Sequence, residues 1–526
     1  MRRLSGVSRE FPPGHLFVVK ADLLGIQCDA WLLPTDADGW VESPWHRSVG
    51  LDAPGQLREV SLQGDRLVTR WDPRAGDEDE PLVFLGAVGV PYGSEVGMAE
   101  WVRHTGEVAA SFVEAAAAEV RARGAAARPR LAMPLIGTGQ AGLGNVAGGL
   151  LGPLLDRLDA AAVTVGADVV LCVVDDLAWS AVQHARGLRS APTDWPLPPS
   201  LVPVAEELAR RLRFGHLVLF LGAGVSADAG LPAWKDLLQG LGRRMDLDDA
   251  VVARLGDLDP RDAAMLLERR AADRSEWIDH VRAELACERS GLTHALLASM
   301  SVEATVTTNF DSLYERACTL PGPGAQAPAR LPYEAAEEGR PWLLKLHGDL
   351  DVGDLVFTRA DYLGAERNRA ALFGIVQALL VTRHLLFVGY SLSDEDFHRL
   401  VDEIGTALQG NDHPHLGTVL VIDDPLWRDL WAGSLDIVEV GGSDDPAANA
   451  HQLQILLDLV NHLASDRTRF LLDPRFRGLL DGDEERLGSE IADLAEHVED
   501  LPEDSIVRTA VERLLRELGA PSDTAT

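Results

Sequence analysis

Cysteine is scarce. Cys28, Cys172, Cys287 and Cys318 are the only four in 526 residues, and no two of them form a C-x-x-C pair. A disulfide framework and a paired-cysteine zinc ribbon are therefore excluded as organising devices, and a reducing compartment, the cytoplasm, is expected. No stretch approaches about eighteen consecutive apolar residues, so no membrane-spanning helix is expected. The basic start Met1-Arg2-Arg3 has no apolar run behind it, which argues against a secretory signal. Positive charge is also short. Lys and Arg total 48 against 82 Asp and Glu, a formal charge of −34, and Lys20, Lys235 and Lys345 are the only lysines. A surface of this sign repels a phosphate backbone, so direct nucleic-acid binding is not expected. A nucleotide is still allowed, because backbone N–H groups at helix starts hold phosphates whatever the net charge.

What is present is ordinary globular composition, 46% hydrophobic, which rules out a mainly disordered chain. At roughly 150 residues per domain the length predicts three or four folding units. The run from Ser190 to Ser200 holds Pro192, Pro196, Pro198 and Pro199 and predicts an extended linker. Breaks at Gly441-Gly442-Ser443 and near Ser465-Asp466 complete the division. The expected domains are 1–190, a linker over 191–200, a central domain over 201–464, and an acidic helical tail over 465–526.

In the first domain, short apolar runs at 15–20, 30–35, 82–89, 131–137 and 169–174 alternate with Ala-rich helical stretches at 98–123 and 145–165. In the second, a run at 217–221 precedes a helical insertion over 234–299, and strand-like runs return at 304–307, 343–346, 385–388 and 419–422. Alternation of this kind predicts α/β domains with parallel sheets covered on both faces. In the tail, Leu487, Ile491, Leu494 and Val498, then Val507, Ala510 or Val511, Leu514 and Leu518, predict two amphipathic helices, with Gly519 as a C-cap. They fit either a hairpin packed on its own domain or an oligomer seam.

The chemistry-bearing residues cluster just past apolar runs. Gly222-Ala223-Gly224-Val225-Ser226-Ala227 follows the 217–221 run and fits G-x-G-x-x-G/A between a strand and a helix. Gly222 suits the tight turn, and Gly224 removes a Cβ where a diphosphate would approach. Then come Gly230-Leu231-Pro232-Ala233-Trp234, Thr307-Thr308-Asn309-Phe310-Asp311, Lys345-Leu346-His347-Gly348-Asp349, and Gly389-Tyr390-Ser391-Leu392-Ser393-Asp394. In an open parallel sheet, strand C-terminal ends converge on one ligand crevice. An Asn there can orient a water, and a His can accept a proton near working pH. Asp311 suits either helix capping or electrostatic support of the site.

This ordered set resembles the Sir2 (sirtuin-type) family over residues 200–440, and most closely the bacterial Sir2-like NAD hydrolases of antiphage defence. The resemblance implies a Rossmann-type domain with NAD+ as substrate. It implies Asn309, His347 and Asp311 as catalytic residues, with Gly222, Ala223, Gly224, Ser226, Trp234, Thr308, Gly389 and Ser391 holding NAD. The expected reaction cleaves the nicotinamide–ribose bond to give nicotinamide and ADP-ribose. The two C-x-x-C pairs of protein-deacetylating sirtuins are missing, since only Cys318 lies between the Asn309 and His347 clusters. No metal is expected, and a protein deacylase is the weaker reading. A non-catalytic NAD or ADP-ribose sensor in a defence complex is the rival from another class.

In the first domain, the segment from Val18 to Pro34 and the loop Gly137-Thr138-Gly139-Gln140-Ala141-Gly142 resemble the macro-domain family, with a LOG-like nucleotide sensor as a related reading. That implies a site for an ADP-ribose-type ligand at Asp22, Gly137, Thr138, Gly139 and Gly142. Leu33-Pro34-Thr35-Asp36 stands where hydrolysing macro domains carry an Asn pair, so binding rather than hydrolysis is expected. Together these readings predict an NAD-depleting antiviral effector, controlled through its N-terminal domain by a ligand or a partner defence protein and acting as a homo-oligomer.

Overall fold

The computed structural model describes all residues except 1–11, 44, 58–61, 63–66, 72–79, 89–96, 125, 139–146, 321–324, 393–394, 408–415, 423–425 and 521–526. The chain is α/β and forms two compact units whose boundaries are not sequential: residues 1–23, 28–195 and 465–526 make one, and 24–27 with 196–464 make the other.

The first unit is built on six strands, β1 (Leu16–Lys20), β2 (Ala30–Thr35), β3 (Val68–Trp71), β4 (Leu82–Ala87), β5 (Arg130–Pro134) and β6 (Asp168–Val173), in the order β1-β6-β5-β2-β4-β3. Five run parallel. The edge strand β3 is antiparallel to β4, with Val68 opposite Gly86, so this sheet is mixed rather than purely parallel. The helix Met98–Ala122 buries Trp101, Val108, Phe112 and Ala116 on one stripe and packs against Ala147–Val165. Three- and four-residue spacing keeps that stripe on the core side.

The tail belongs to this unit and not to a domain of its own. Phe470 and Phe476 are fully buried in the same core as Trp101 and Leu154. The backbone around Phe476 passes so close to Gly148 that a Cβ there would lie 2.8 Å from the Phe476 carbonyl oxygen. The helix Gly482–Glu499 is capped by Asp481, whose side chain accepts from the N–H groups of Asp483 and Glu484. The helix Ile506–Glu517 ends at Gly519 in the left-handed region, φ +87°, and the Gly519 N–H donates to the Arg516 carbonyl. Leu487, Leu494, Val507 and Leu514 stay exposed. The expected extended linker instead contains two 3₁₀ turns, Pro192–Asp194 and Pro199–Leu201. Proline at the first position of a helical turn loses no hydrogen bond, which is why proline-rich sequence can begin a turn here.

The second unit carries seven strands, β7 (Leu217–Leu221), β8 (Ala304–Thr307), β9 (Ala329–Leu331), β10 (Trp342–Lys345), β11 (His384–Val388), β12 (Gly417–Val421) and β13 (Asp436–Glu439), in the order β9-β10-β8-β7-β11-β12-β13. Every pairing is parallel. β7 lies between β8 and β11, so the chain leaves β7 toward one side and later returns on the other. Such a reversal opens a crevice at the strand C-terminal ends. Between β7 and β8, the helical insertion buries Leu237, Leu241, Trp277 and Val281 together with Phe310 and Phe357.

Candidate active site

The site is assembled from the loops after β7, β8, β10 and β11. Gly222 leaves β7 with its N–H donating to the Val388 carbonyl, and the Gly224 N–H donates to the Gly389 carbonyl, at 3.0 and 2.9 Å. A Cβ on Gly222 would lie 2.5 Å from the Gly389 carbonyl oxygen, and one on Gly224 would lie 2.8 Å from the Gly389 Cα. Gly389 itself has φ +64° and admits no Cβ beside the Val225 amide. The three glycines are thus explained by backbone packed on backbone between two loops. The expected reason for Gly224, room for a diphosphate, is not the constraint seen on its missing Cβ. Ala223–Ala229 forms a 3₁₀ turn, capped by Gly230 at φ +89°.

Ser226 sits at the centre of a hydrogen-bond cluster. Its Oγ donates to Asp311 Oδ2 at 2.9 Å, lies 3.3 Å from His294 Nε2, and accepts from Asn309 Nδ2 at 3.3 Å. Asn309 Nδ2 also donates to the Gly222 carbonyl at 3.1 Å, and the Asn309 backbone N–H donates to Thr307 Oγ1. The Asn309 Oδ1 atom is buried and has no partner among the described residues. Asp311 Oδ1 accepts from the Leu313 N–H at the start of the helix Leu313–Thr319, whose N-cap residue is Ser312, while its other oxygen holds Ser226. Thr308 is fixed by its N–H to the Leu221 carbonyl.

His347 follows β10 and is buried, with Nδ1 3.4 Å from the Tyr362 hydroxyl. The tight bend after it needs glycine: Gly348 has φ +105°, and a Cβ there would strike the Asp354 carbonyl. Ser391 is exposed just beyond Gly389 and Tyr390. Trp234 packs on Phe357 with ring centroids 4.8 Å apart and near Phe310, which places it in the aromatic core of the insertion.

Sequence reasoning assigned no role to three contributors. Lys345 is fully buried. Its Nζ donates to the Asp311 carbonyl at 2.7 Å and to Glu315 Oε1 at 2.9 Å, and it lies 3.6 Å from Asp349. It ties the end of β10 to the loop bearing Asn309. Burial raises the Glu315 carboxyl above its usual range, against the pull of Lys345. His294, in the first turn of the helix Leu292–Ser299, is buried, and burial pushes its pKa below the usual value. Tyr362 faces His347. A lysine inside an otherwise apolar strand was the available signal for the first; His294 and Tyr362 lie on helices outside any motif. Thiol chemistry gains no support: burial pushes Cys318 up to about 12 and Cys172 well above its usual value.

In the first unit, Asp22 is half-buried just after β1. Gly137 has φ +84°, and a Cβ on it would lie 2.6 Å from Leu150 and 3.1 Å from Trp101, so helix packing requires this glycine. Thr138 Oγ1 donates to the Leu135 carbonyl. Gly139 and Gly142 lie outside the described residues. Among the described residues, no cluster of three or more His, Cys, Asp or Glu is placed to hold a metal, and no helix is long and apolar enough to cross a membrane.

Residues 303–432, which contain the Asn309, His347 and Gly389 loops, match the family model described as a SIR2-like domain. Four curated relatives are named NAD(+) hydrolase ThsA. The one from Enterococcus faecium is 28% identical over 205 residues, 38% of this chain and 42% of that protein. The one from Acinetobacter baumannii is 25% identical over 214 residues, 40% of this chain and 43% of that protein. Defense-associated sirtuin 2 of Bacillus subtilis is 23% identical over 225 residues, 39% of this chain and 20% of that protein. This chain therefore spans about two fifths of the length of these ThsA relatives.

Proposed function

We propose that this chain is an NAD hydrolase that cleaves the bond between nicotinamide and the ribose C1′. The observation that carries the reading is the unpartnered, buried Asn309 Oδ1 beside the glycine loops at the reversal of a parallel sheet. A buried acceptor without a hydrogen bond costs about 1–3 kcal/mol, and a water or ligand group that donates to it would remove that cost. A water or a ribose hydroxyl is such a group. As the C1′–N bond breaks, its electron pair stays on nitrogen and nicotinamide leaves neutral, so no strong acid is needed. Positive charge develops on the ribose, and the Asp311 carboxylate is the nearby compensating group. Water then bonds to C1′ and gives up a proton, for which His347 is the proposed acceptor. Gly222, Ala223, Gly224, Thr308, Gly389 and Ser391 are the proposed contacts along the rest of NAD; Ser226, buried with its hydroxyl committed to Asp311, Asn309 and His294, supports the site rather than touching NAD. Trp234, packed into the insertion core, supports the shape of the site rather than a direct contact.

The names NAD(+) hydrolase ThsA and Defense-associated sirtuin 2 support NAD depletion in antiphage defence as a further step. Control of it through the first unit by an ADP-ribose-type ligand or a partner protein is proposed from the sequence resemblance of that unit alone. The test is nicotinamide release from NAD+ by the purified full-length chain. Asn309→Ala and His347→Ala should each lower the rate by ~10²–10⁴-fold with the fold retained. Near-wild-type turnover by either folded variant would remove that residue from the mechanism, and no release by the wild type with any added nucleotide would remove the activity.

A further inference from the structure

We infer that His294 is a positioning residue for this reaction: acting through Ser226, it fixes the amide of Asn309 with the carbonyl oxygen left as the open acceptor. The inference rests on the NAD reading above. It starts at the helix Leu292–Ser299, where the Gly291 N–H donates to His294 Nδ1 at 3.3 Å. With Nδ1 accepting, a neutral ring carries its proton on Nε2. The neighbouring charges on Asp311 and Asp228 favour the protonated ring, but burial outweighs them and keeps it neutral. Nε2 can then only donate, and the group in reach is Ser226 Oγ at 3.3 Å.

A serine hydroxyl has one proton and two lone pairs. Ser226 sends its proton to Asp311 Oδ2, and its lone pairs receive His294 Nε2–H and Asn309 Nδ2–H. Its capacity is full. The second Asn309 amide hydrogen goes to the Gly222 carbonyl. Flipping the Asn309 amide would set its oxygen against two acceptors, the Gly222 carbonyl and Ser226 Oγ. Ser226 could satisfy it only by turning its proton away from Asp311. The direction of donation is therefore one-way, from the Gly291 N–H through His294 and Ser226 to Asp311, and Asn309 Oδ1 is the atom left unpaired.

In the full-length protein, His294→Leu should lower kcat for nicotinamide release by about 10²-fold and leave KM within about twofold, because it loosens the geometry of a reacting group and not a substrate contact. His294→Gln, which keeps an N–H near the Nε2 position, should recover at least about tenfold of that loss. Ser226→Ala should lower the rate similarly, and the double variant should be no worse than the worse single one, as expected for residues acting in series. A folded His294→Leu variant with wild-type kcat, additive losses, or no rescue by Gln would overturn the proposal. ¹⁵N NMR of histidine-labelled wild type, with His294 assigned from the Gln variant, reads the tautomer without turnover. A protonated Nε2 with a bare Nδ1 is expected, and an Nδ1–H ring or an imidazolium at neutral pH overturns the inference. If wild type releases no nicotinamide, the NAD reading fails by itself, and the tautomer still decides the hydrogen-bond direction.

Discussion

Individual side chains here are held in states their sequence neighbours do not suggest. His294 is neutral because burial outweighs two nearby carboxylates, Asp311 and Asp228. Its folded pKa lies below the value of 6.5 expected in the unfolded chain, so the unfolded state takes up the proton first as pH falls. Its contribution to stability is fully present above pH 6.5 and declines as pH drops below that value toward the folded pKa. Wild type should therefore lose thermal stability between about pH 7 and pH 5.5 more steeply than His294→Gln, whose side chain does not titrate. Parallel melting curves of the two proteins over that range would show that His294 is not the group responsible. Asn309 and His347 could be picked out in the sequence because each lies just past an apolar strand run in a cluster of polar residues. The partners that orient them could not. Ser226 and Asp311 lie 85 positions apart, and Lys345 and Glu315 lie 30 apart; no local pattern pairs them.

Among the elements, strands were easier to read than the reasons for their loops. The runs at 30–35 and 217–221 are strands over their whole length, because fully buried parallel strands are continuous apolar stretches. The edge strands β3, β9 and β13 were not anticipated. They are three or four residues long, and β3 has no fully buried position, so their hydrophobic signal is weak. The G-x-G turn was recognised from a ligand argument, yet the structure shows a packing constraint at the same atoms. That makes a prediction. Gly389→Ala introduces a Cβ at φ +64° against the Val225 amide, where backbone rather than a flexible side chain must yield. The variant should be destabilised by about 1–3 kcal/mol, and it should lose NAD binding together with the loop geometry. A variant that melts like wild type and binds NAD+ normally in calorimetry would show that the loops do not depend on this contact. The tail offers a second case. Phe476 is fully buried in the first unit, so Phe476→Ala should cost about 3–5 kcal/mol by cavity formation. Denaturant unfolding followed by tryptophan fluorescence would measure it, and a loss below about 1 kcal/mol would mean the tail contributes little to that core.

For the whole molecule, nothing in the sequence marks residues 465–526 as returning to the first unit, because a contact between Phe476 and residues more than 300 positions earlier leaves no local trace. The consequence is functional. The unit proposed to sense a ligand is built from stretches on both sides, in sequence, of the segment that carries the proposed NAD site. An NAD hydrolase without restraint would exhaust its own cell, so an off-state is expected of the proposed activity. A ligand shifts such an equilibrium only by binding one state more tightly, and moving it from 1:99 to 99:1 takes about 5.5 kcal/mol of difference. The proposed lever is an ADP-ribose-type molecule at the loop after β5. Gly139→Glu adds bulk and a negative charge to that loop, against a diphosphate, at a position far in sequence from Ser226, Asn309 and His347. The full-length variant should keep the basal rate of nicotinamide release and lose its response to added ADP-ribose derivatives, with ligand binding weakened by at least about tenfold in calorimetry. Full activation of the variant at the same ligand concentration would exclude this loop as the sensor. A wild type that responds to no nucleotide, but to an added defence protein, would assign the control to that partner instead.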